Sequence, residues 1–293
     1  MWRARGPRYS NVRTSRLVGP RAPSRRRPTA FDKPLHTFDR LRRPAPPPAL
    51  RLADHFFFAH RIDGDRHAFD AEEARHATRV LRLRVGDDLQ WLDGRGGRYT
   101  GVLVAADACG MTAVARSELR EPPPPRLDLA VGLLHDATRL EWLVEKAVEL
   151  GATRIVLLRT ARVGRTRHRG HRLKAKALSA MKQSGRAFLP EVVERNLGAW
   201  LRERPEGRLL FGHCYADLPR RDLASVELGR ESAATTLAIG PEGDFAPDEV
   251  EALTRAGGRA FRLSAARLRT ETAAIAALAI LTARRTLAPP SSR

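Results

Sequence analysis

The feature that most limits the folds open to this chain is an alternation of short apolar segments with helical segments from Leu127 to Leu287. Apolar runs of roughly four to eight residues are typical of buried strands, and apolar spacings of three and four are typical of amphipathic helices. The segments predict strands at Leu127–Leu134, Ile155–Leu158, Arg208–His213, Thr235–Ile239 and Ala260–Leu263, and helices at Arg139–Leu150, Leu173–Phe188, Asp248–Ala256 and Glu271–Leu287. Such alternation forms a largely parallel sheet covered on both faces, so we predict an α/β domain at 127–288.

The segment 51–120 has shorter strands and more frequent turn signals. The pattern predicts strands at Asp88–Leu92, Arg98–Ala105 and Met111–Ala115, a glycine-rich turn at Asp93–Gly97, and one short helix within His67–Arg84. These elements are typical of a small β-barrel. The proline run Pro122–Pro125 predicts a stiff linker at 121–126 between the two domains.

Residues 1–50 contain nine of the twenty prolines, and 13 basic side chains against two acidic ones, without a sustained apolar period. Such a segment cannot bury enough apolar surface to offset the entropy of ordering it. Three interpretations stay open: a disordered basic extension, a start codon assigned too early, or an organelle transit peptide. The prolines and glycines disfavour the amphipathic helix that a transit peptide needs.

The formal net charge of +20 is unusual for a globular protein, and the 243 residues after residue 50 still hold 40 basic against 31 acidic side chains. A basic folded body favours a polyanionic partner, because counterion release from phosphates drives such binding. A solvated basic surface is the alternative, and the excess of Arg over Lys also fits a GC-rich genome.

Cys109 and Cys214 have neither a suitable spacing nor a neighbouring histidine cluster. This disfavours a disulfide framework or a metal site and favours a reducing compartment, the cytoplasm. The longest apolar run, near Thr272–Ala283, is too short to span a bilayer. We therefore expect a soluble protein with no metal.

Two motifs follow predicted strands of the second domain. Ile239-Gly240-Pro241-Glu242-Gly243-Asp244-Phe245 comes directly after an apolar strand, where its glycines allow close approach of a ligand or a positive φ. Leu268-Arg269-Thr270-Glu271-Thr272-Ala273-Ala274 begins the last helix, where Thr270 can cap the helix and Glu271 complements its positive end. Taken alone, the first motif could be an ordinary strand-to-helix turn, and the second could be an ordinary helix cap.

A third and a fourth motif, Lys146–Gly151 and Gln183–Arg186 followed by Pro190-Glu191, bracket a strongly basic interval. The 41 residues between Glu149 and Glu191 contain eleven Lys or Arg, two His and no carboxylate. A charge run is usually a solvated face, but this one lies inside a folded domain and has a single sign. We therefore favour contact with nucleic acid.

The order of these four motifs resembles the ribosomal RNA small-subunit methyltransferase E family of the SPOUT superfamily, over about residues 52–287. His76, Val80-Leu81-Arg82, Gly86 and Asp93-Gly94 also resemble the PUA-like barrel of that family. The resemblance implies a C-terminal trefoil knot that binds S-adenosylmethionine (SAM), a homodimer, and methylation at N3 of a uridine in 16S rRNA of the small ribosomal subunit. No metal is implied, because a sulfonium is already an activated methyl donor.

The resemblance also implies roles for individual residues. Those expected to hold SAM are Ile239, Gly240, Glu242, Gly243, Leu263, Ser264, Leu268 and Thr270. Arg269 or Arg186 would stabilise the uracil anion, and Glu271 or Glu242 is the candidate for a polar or basic role. The residues expected to grip rRNA are Arg82, Arg165, Arg167, Arg169, Arg172 and Lys174.

The chain departs from the family pattern at four places. Asp244 stands where a second glycine is usual, Lys182 where a glutamate is usual, and His135-Asp136-Ala137 where the family carries a glycine-bearing segment; Ser264-Ala265-Ala266-Arg267 shifts or removes an arginine. Two further functions stay open: an rRNA-binding assembly protein without catalysis, and a SPOUT methyltransferase with another RNA target.

Overall fold

The computed structural model describes residues 55–164, 169–204, 207–226 and 234–287. The expectations for residues 1–50, and for Arg165 and Arg167, lie outside the described residues. Among the described residues, no helix combines the length and apolarity needed to cross a membrane.

The first part of the fold is a six-stranded sheet with the order β1-β4-β5-β6-β3-β2. Its strands are β1 (Phe56–Phe58), β2 (Arg61–Asp63), β3 (Arg66–Phe69), β4 (Asp88–Leu92), β5 (Gly97–Ala106) and β6 (Met111–Arg120). The two end strands, β1 and β2, are joined by only Ala59 and His60. Since Ala59 N donates to Leu92 O of β4 and His60 N to Ala68 O of β3, this short connection closes the sheet into a barrel.

The helix predicted within His67–Arg84 is shorter than expected. His67–Phe69 belongs to β3, and the helix is α1 (Ala71–Arg75), which continues as a π-helical turn at His76–Val80. Asp70 caps α1 by accepting from Glu72 N and Glu73 N. The alternating pattern of β3 overrides the helical spacing at this end, because His67 and Phe69 both point into the barrel core.

The second part is a seven-stranded, wholly parallel sheet with the order β11-β13-β10-β12-β7-β8-β9. Its strands are β7 (Leu127–Gly132), β8 (Arg154–Arg159), β9 (Glu191–Asn196), β10 (Arg208–Gly212), β11 (Arg221–Asp222), β12 (Thr235–Ile239) and β13 (Arg259–Arg262). The sequence did not reveal β9 or β11, which are edge strands with charged residues rather than apolar runs.

The helices of this domain are α2 (Ala137–Glu149), α3 (Gly170–Ser184), α4 (Leu197–Glu203), α5 (Pro247–Arg255) and α6 (Thr270–Leu287). The prediction that Gly151 ends α2 is confirmed, because Gly151 has φ of 89° directly after the C-cap Leu150. The prediction that α3 continues to Phe188 is wrong. Gly185 has φ of 64° and ends the helix there.

The path of the last third of the chain brings distant loops together. From β12 the chain passes through α5 to β13, which lies beyond β10, and then α6 returns to pack against α2, β7 and β12. The loops after β10, β12 and β13 therefore meet at one edge of the sheet.

A buried ion pair joins the barrel to the parallel-sheet domain. Lys182 of α3 lies 2.5 Å from Glu73 of α1, whose side chain is only 5% exposed and also accepts from Phe58 N. Burial raises the pKa of Glu73 and outweighs the lowering by Lys182. Backbone bonds from Gly96 N to Ala187 O and from Leu189 N to Gly94 O complete the contact.

Replacing Lys182 by Met should leave the Glu73 carboxylate buried without its cation. We expect the free energy of unfolding to fall by about 3 kcal/mol near neutral pH, the lower end for breaking a buried pair. Because the raised pKa of Glu73 means that the folded state holds its proton more tightly, the loss should be small in acid and grow as pH rises through that pKa.

Urea unfolding at several pH values measures this effect, and Lys174→Met, an exposed change on the same helix, is the matched control. Equal losses for the two variants would show that the pair does not hold the barrel in place.

Candidate functional site

The three loops at the carboxyl edge of the parallel sheet enclose a cavity of about 1000 Å³. Its walls come from 212–214 and Ala216 after β10, from 239–242 and Asp244 after β12, and from 261–270 around the end of β13, with Arg139, Arg220 and Ala273 completing them. Cavities of this size hold ligands as large as nucleotides. The lining mixes apolar side chains with backbone groups and a few charges.

The loop after β12 is held by its own backbone and by α6. Thr270 Oγ1 donates to Gly240 O at 3.0 Å, which ties this loop to the start of α6. A side chain on Gly240 would bring its Cβ to 2.8 Å from Phe245 N. Neither Gly240 nor Gly243 has a positive φ, so Gly240 is required by the tight folding of the loop on itself rather than by backbone strain.

Asp244 adopts the left-handed conformation, with φ of 65°, that a glycine would take without cost. Its carboxylate offsets the strain, because Oδ2 accepts from Cys214 N at 2.7 Å and Oδ1 accepts from Phe245 N at 2.8 Å. The aspartate at this departure from the family pattern therefore pins the loop after β10 to the loop after β12.

The loop after β10 places His213 and Cys214 at one end of the cavity, beside the charged groups of Arg220 and Asp244. Burial, with Arg220 adding to it, lowers the pKa of His213, and burial followed by Asp244 raises the pKa of the Cys214 thiol. At neutral pH both groups are therefore neutral. Tyr215 N donates to His213 Nδ1 at 3.2 Å, which fixes the imidazole ring.

The part of the cavity wall formed by Arg139 and Glu242 carries a cluster of charged side chains. The Arg139 guanidinium lies 3.7 Å from Glu242, 3.8 Å from Glu271 and 3.7 Å from Asp136. Glu242 also lies 2.6 Å from His135. Glu271 is 8% exposed, and its Oε2 is buried without a hydrogen-bond partner among the described residues. Arg139 thus lies close to three carboxylates, and because Arg267 and Arg269 also line the cavity, this part of the wall holds charges of both signs.

The structure brings most of the sequence-predicted cofactor residues to the cavity. Those that line it are Ile239, Gly240, Glu242, Leu263, Ser264, Leu268 and Thr270, together with the catalytic candidate Arg269. Gly243 does not line the cavity, and its carbonyl accepts from Arg162 Nη1 at 2.7 Å. Arg269 is exposed, and its side chain forms no ion pair among the described residues.

Two other catalytic candidates lie elsewhere. Glu271 sits behind the cavity wall next to Arg139. Arg186 is away from the cavity, because its Nε and Nη2 donate to Glu149 O at the end of α2, beside Gly151. Arg186 is one of the two arginines predicted to stabilise the uracil anion, and that role stays a prediction; within one chain it lies apart from Arg269, because Gln183–Arg186 closes a helix.

Of the residues expected to grip rRNA, the structure describes four. Arg169 and Lys174 are exposed and form no ion pair among the described residues, whereas Arg172 pairs with Glu141 at 3.0 Å. Arg82 is exposed in the barrel with φ of 59°, which is unusual for a long side chain. An outlier of this kind is often kept for function.

Sequence reasoning missed Arg139, Arg262, Arg267 and the segment 212–216 as parts of the site. Arg139 stands two helical turns before Lys146, the first residue of the third motif, and has no local signal. Its position follows only from the packing of α2 against α6. The segment 212–216 lies where a strand ends, which is a usable but unspecific signal.

Comparisons with known proteins agree with this geometry. The family model of the RNA methyltransferase domain matches residues 121–282, and that of the RNA methyltransferase PUA domain matches residues 69–109. Ribosomal RNA small subunit methyltransferase E of Mycobacterium bovis is 33% identical over 221 residues, covering 71% of this chain and 83% of the relative.

Two solved structures are similar to this one. A protein of Porphyromonas gingivalis described as a "probable rRNA-methyltransferase" has a TM-score of 0.70 at 30% identity, covering 79% of this chain and 98% of its own. A protein of Legionella pneumophila described as a "putative methyltransferase", solved in complex with its bound cofactor SAM, has a TM-score of 0.65 at 25% identity, covering 78% of this chain and 96% of its own.

Replacing Asp244 by Ala should strain the backbone and remove the bonds to Cys214 N and Phe245 N. We expect a fall of about 2–3 kcal/mol in the free energy of unfolding. Asp244→Gly removes the backbone strain together with the two hydrogen bonds. The fall in the free energy of unfolding should therefore be smaller than for Asp244→Ala. Chemical denaturation measures both, with the exposed Asp217→Ala as control. A glycine variant more stable than the original chain would mean that the carboxylate bonds do not offset the backbone strain.

Proposed function

We propose that this chain, which belongs to the ribosomal RNA small subunit methyltransferase E family of SAM-dependent rRNA methyltransferases, methylates N3 of a uridine in 16S rRNA. The observation that carries the proposal is the cavity formed by the loops after β12 and β13. These loops contain the IGPEG and LRTETA motifs on which the resemblance rests, and they are held together by the Thr270–Gly240 hydrogen bond.

The residues around the cavity fit SAM. Ile239, Leu263 and Leu268 offer apolar surface to an adenosine. The carboxylate of Glu242, which lines the cavity, offers a negative charge to a donor that is itself a cation. When bound, SAM supplies a methyl group activated by its positive sulfur.

The remaining task of the protein is to handle the uracil. Its N3–H is a poor nucleophile until the proton leaves and negative charge spreads to O2 and O4. Arg269 lies exposed at the cavity, at the start of α6, without a described ionic partner. We assign it the stabilisation of that negative charge. Glu271 orients Arg139, and Arg186 has no part in the proposal.

The barrel and the basic segment that begins at Arg159 are proposed to hold the rRNA. Arg82 on the barrel and Arg169 and Lys174 on α3 are exposed cations of this surface. Arg162 anchors the near end of the segment to the loop after β12 through Gly243 O. The basic segment therefore starts at the edge of the cavity, where a target base would enter.

We also propose that the chain forms a homodimer and a trefoil knot. Trp142 on α2 is 44% exposed, and Ile275 and Ile280 on α6 are only half-buried, so two adjacent helices present apolar surface that a second copy would cover. Sedimentation of the full chain measures whether two copies associate. The return of α6 past β10 to β12 and β7 supports the knot.

Purified chain should transfer labelled methyl groups from SAM to small ribosomal subunits that lack this modification, and mass mapping of 16S rRNA should place the label on one uridine.

Ala265→Trp, an exposed change on the cavity wall, should fill the cavity and weaken SAM binding by about tenfold or more. Calorimetric titration with SAM measures it, and Ala108→Trp at a barrel turn is the matched control. Unchanged SAM affinity in Ala265→Trp would place the cofactor elsewhere.

Reversing Arg169 and Lys174 to Glu should weaken rRNA binding and leave SAM affinity unchanged. Because each lost phosphate contact lowers the slope of log affinity against log salt by about one unit, the slope should become about two units shallower. Arg202→Glu on α4 is an exposed control. An unchanged slope would mean that this part of α3 is solvated surface.

A further inference from the structure

His135 stands in the His135-Asp136-Ala137 segment that departs from the family pattern, between β7 and α2. Its Nδ1 lies 2.6 Å from Glu242 Oε2, and its backbone N donates to the same oxygen at 3.4 Å. The other oxygen of Glu242 lies 3.7 Å from Arg139 Nη1. The carboxylate is thus held on two sides, and it fixes the imidazole.

This contact decides which ring nitrogen is free. An ionised carboxylate only accepts hydrogen bonds, so Nδ1 carries the shared proton, and the neutral ring keeps its lone pair on Nε2. A carboxylate in this position also stabilises the imidazolium that forms when Nε2 takes up a proton.

Nε2 is open toward the basic segment. It forms no hydrogen bond with any described residue, and the His135 side chain is 59% exposed. A Cβ on Gly164 would lie 3.1 Å from Nε2, so the glycine leaves space in front of this nitrogen. Arg162 holds the same stretch against the loop after β12. His135 does not itself line the cavity, but it contacts Glu242, which does, so the free nitrogen lies beside the cavity wall and next to Gly164 of the basic segment.

The N-terminus of α2 does not need His135 as a cap, because another side chain already accepts hydrogen bonds from its free backbone N–H groups. Asp136 caps the helix by accepting from Thr138 N at 2.8 Å and Arg139 N at 3.3 Å. The histidine adds nothing to this cap beyond its contact with Glu242.

We propose that His135, oriented by Glu242, is the general base that removes the N3 proton of the target uridine; this inference rests on the proposed function. The proton passes to Nε2, the N3 lone pair forms the bond to the methyl carbon, and the carbon–sulfur bond breaks with its electron pair remaining on sulfur. The imidazolium beside Glu242 then releases the proton to water. Arg269 at the cavity stabilises the charge on O2 and O4.

The test uses the full chain, labelled SAM and unmodified small subunits under single-turnover conditions. His135→Ala should lower the methylation rate by about 10²-fold or more, the range for losing a general base. Added imidazole should raise the rate of this variant by about tenfold, since it can occupy the vacated space. His135→Gln preserves a hydrogen-bond donor toward Glu242 but no base, so it should be equally slow and not respond to imidazole. His60→Ala, in the exposed β1–β2 connection, is the control.

SAM affinity, rRNA affinity and melting temperature are measured for each variant and should stay at their original values. An unchanged rate in His135→Ala, or a slow rate that imidazole does not raise, overturns the assignment, and so does a parallel loss of SAM affinity. If the original chain transfers no methyl group to small subunits, the proposed function itself fails, and this inference fails with it.

Discussion

The strand order β13-β10-β12 is the constraint on which the site depends. Because β10 lies between the two strands whose loops carry the motifs, the chain must pass β10 after β12 and return to α6. The returning helix begins beside the loop it left, and Thr270 Oγ1 bonds to Gly240 O at this point. Parallel strands end at one edge of a sheet, so the loop after β10 is enclosed with the other two. A cavity walled by three loops results, although thirty residues separate Gly240 from Thr270.

Three of the four departures from the family pattern have physical explanations in this chain. Asp244 takes a left-handed conformation and uses its carboxylate to join two loops. Lys182 neutralises Glu73, which is buried where the barrel meets α3. His135 reaches Glu242 at the edge of the cavity. In each case the side chain is matched by a partner far away in sequence, so the departures belong to contacts specific to this chain rather than to a decayed site.

The barrel is fixed relative to the cavity by contacts that combine charge with backbone. The Glu73–Lys182 pair lies beside hydrogen bonds between 94–96 and 187–189, and Arg98 donates to both Glu121 and Gly185 O while stacking over Phe56. Such a contact orients the barrel relative to the parallel-sheet domain, which the proline linker alone would not do. The proline segment 121–126 connects the two domains, and the contacts beside it fix the orientation of the barrel.

The sequence by itself determined the fold class, most strand and helix positions, and two of the loops that line the cavity. Apolar periodicity is a local property, and strands such as β4 and β12 have the predicted bounds because their burial pattern is fully encoded in their own residues. Only the tertiary structure decided that Arg139, His213 and Cys214 share the cavity, that Arg186 lies outside it, and that β9 and β11 exist. Those facts depend on which elements pack together, and a partner such as Glu242, 107 residues from His135, leaves no mark on the local sequence.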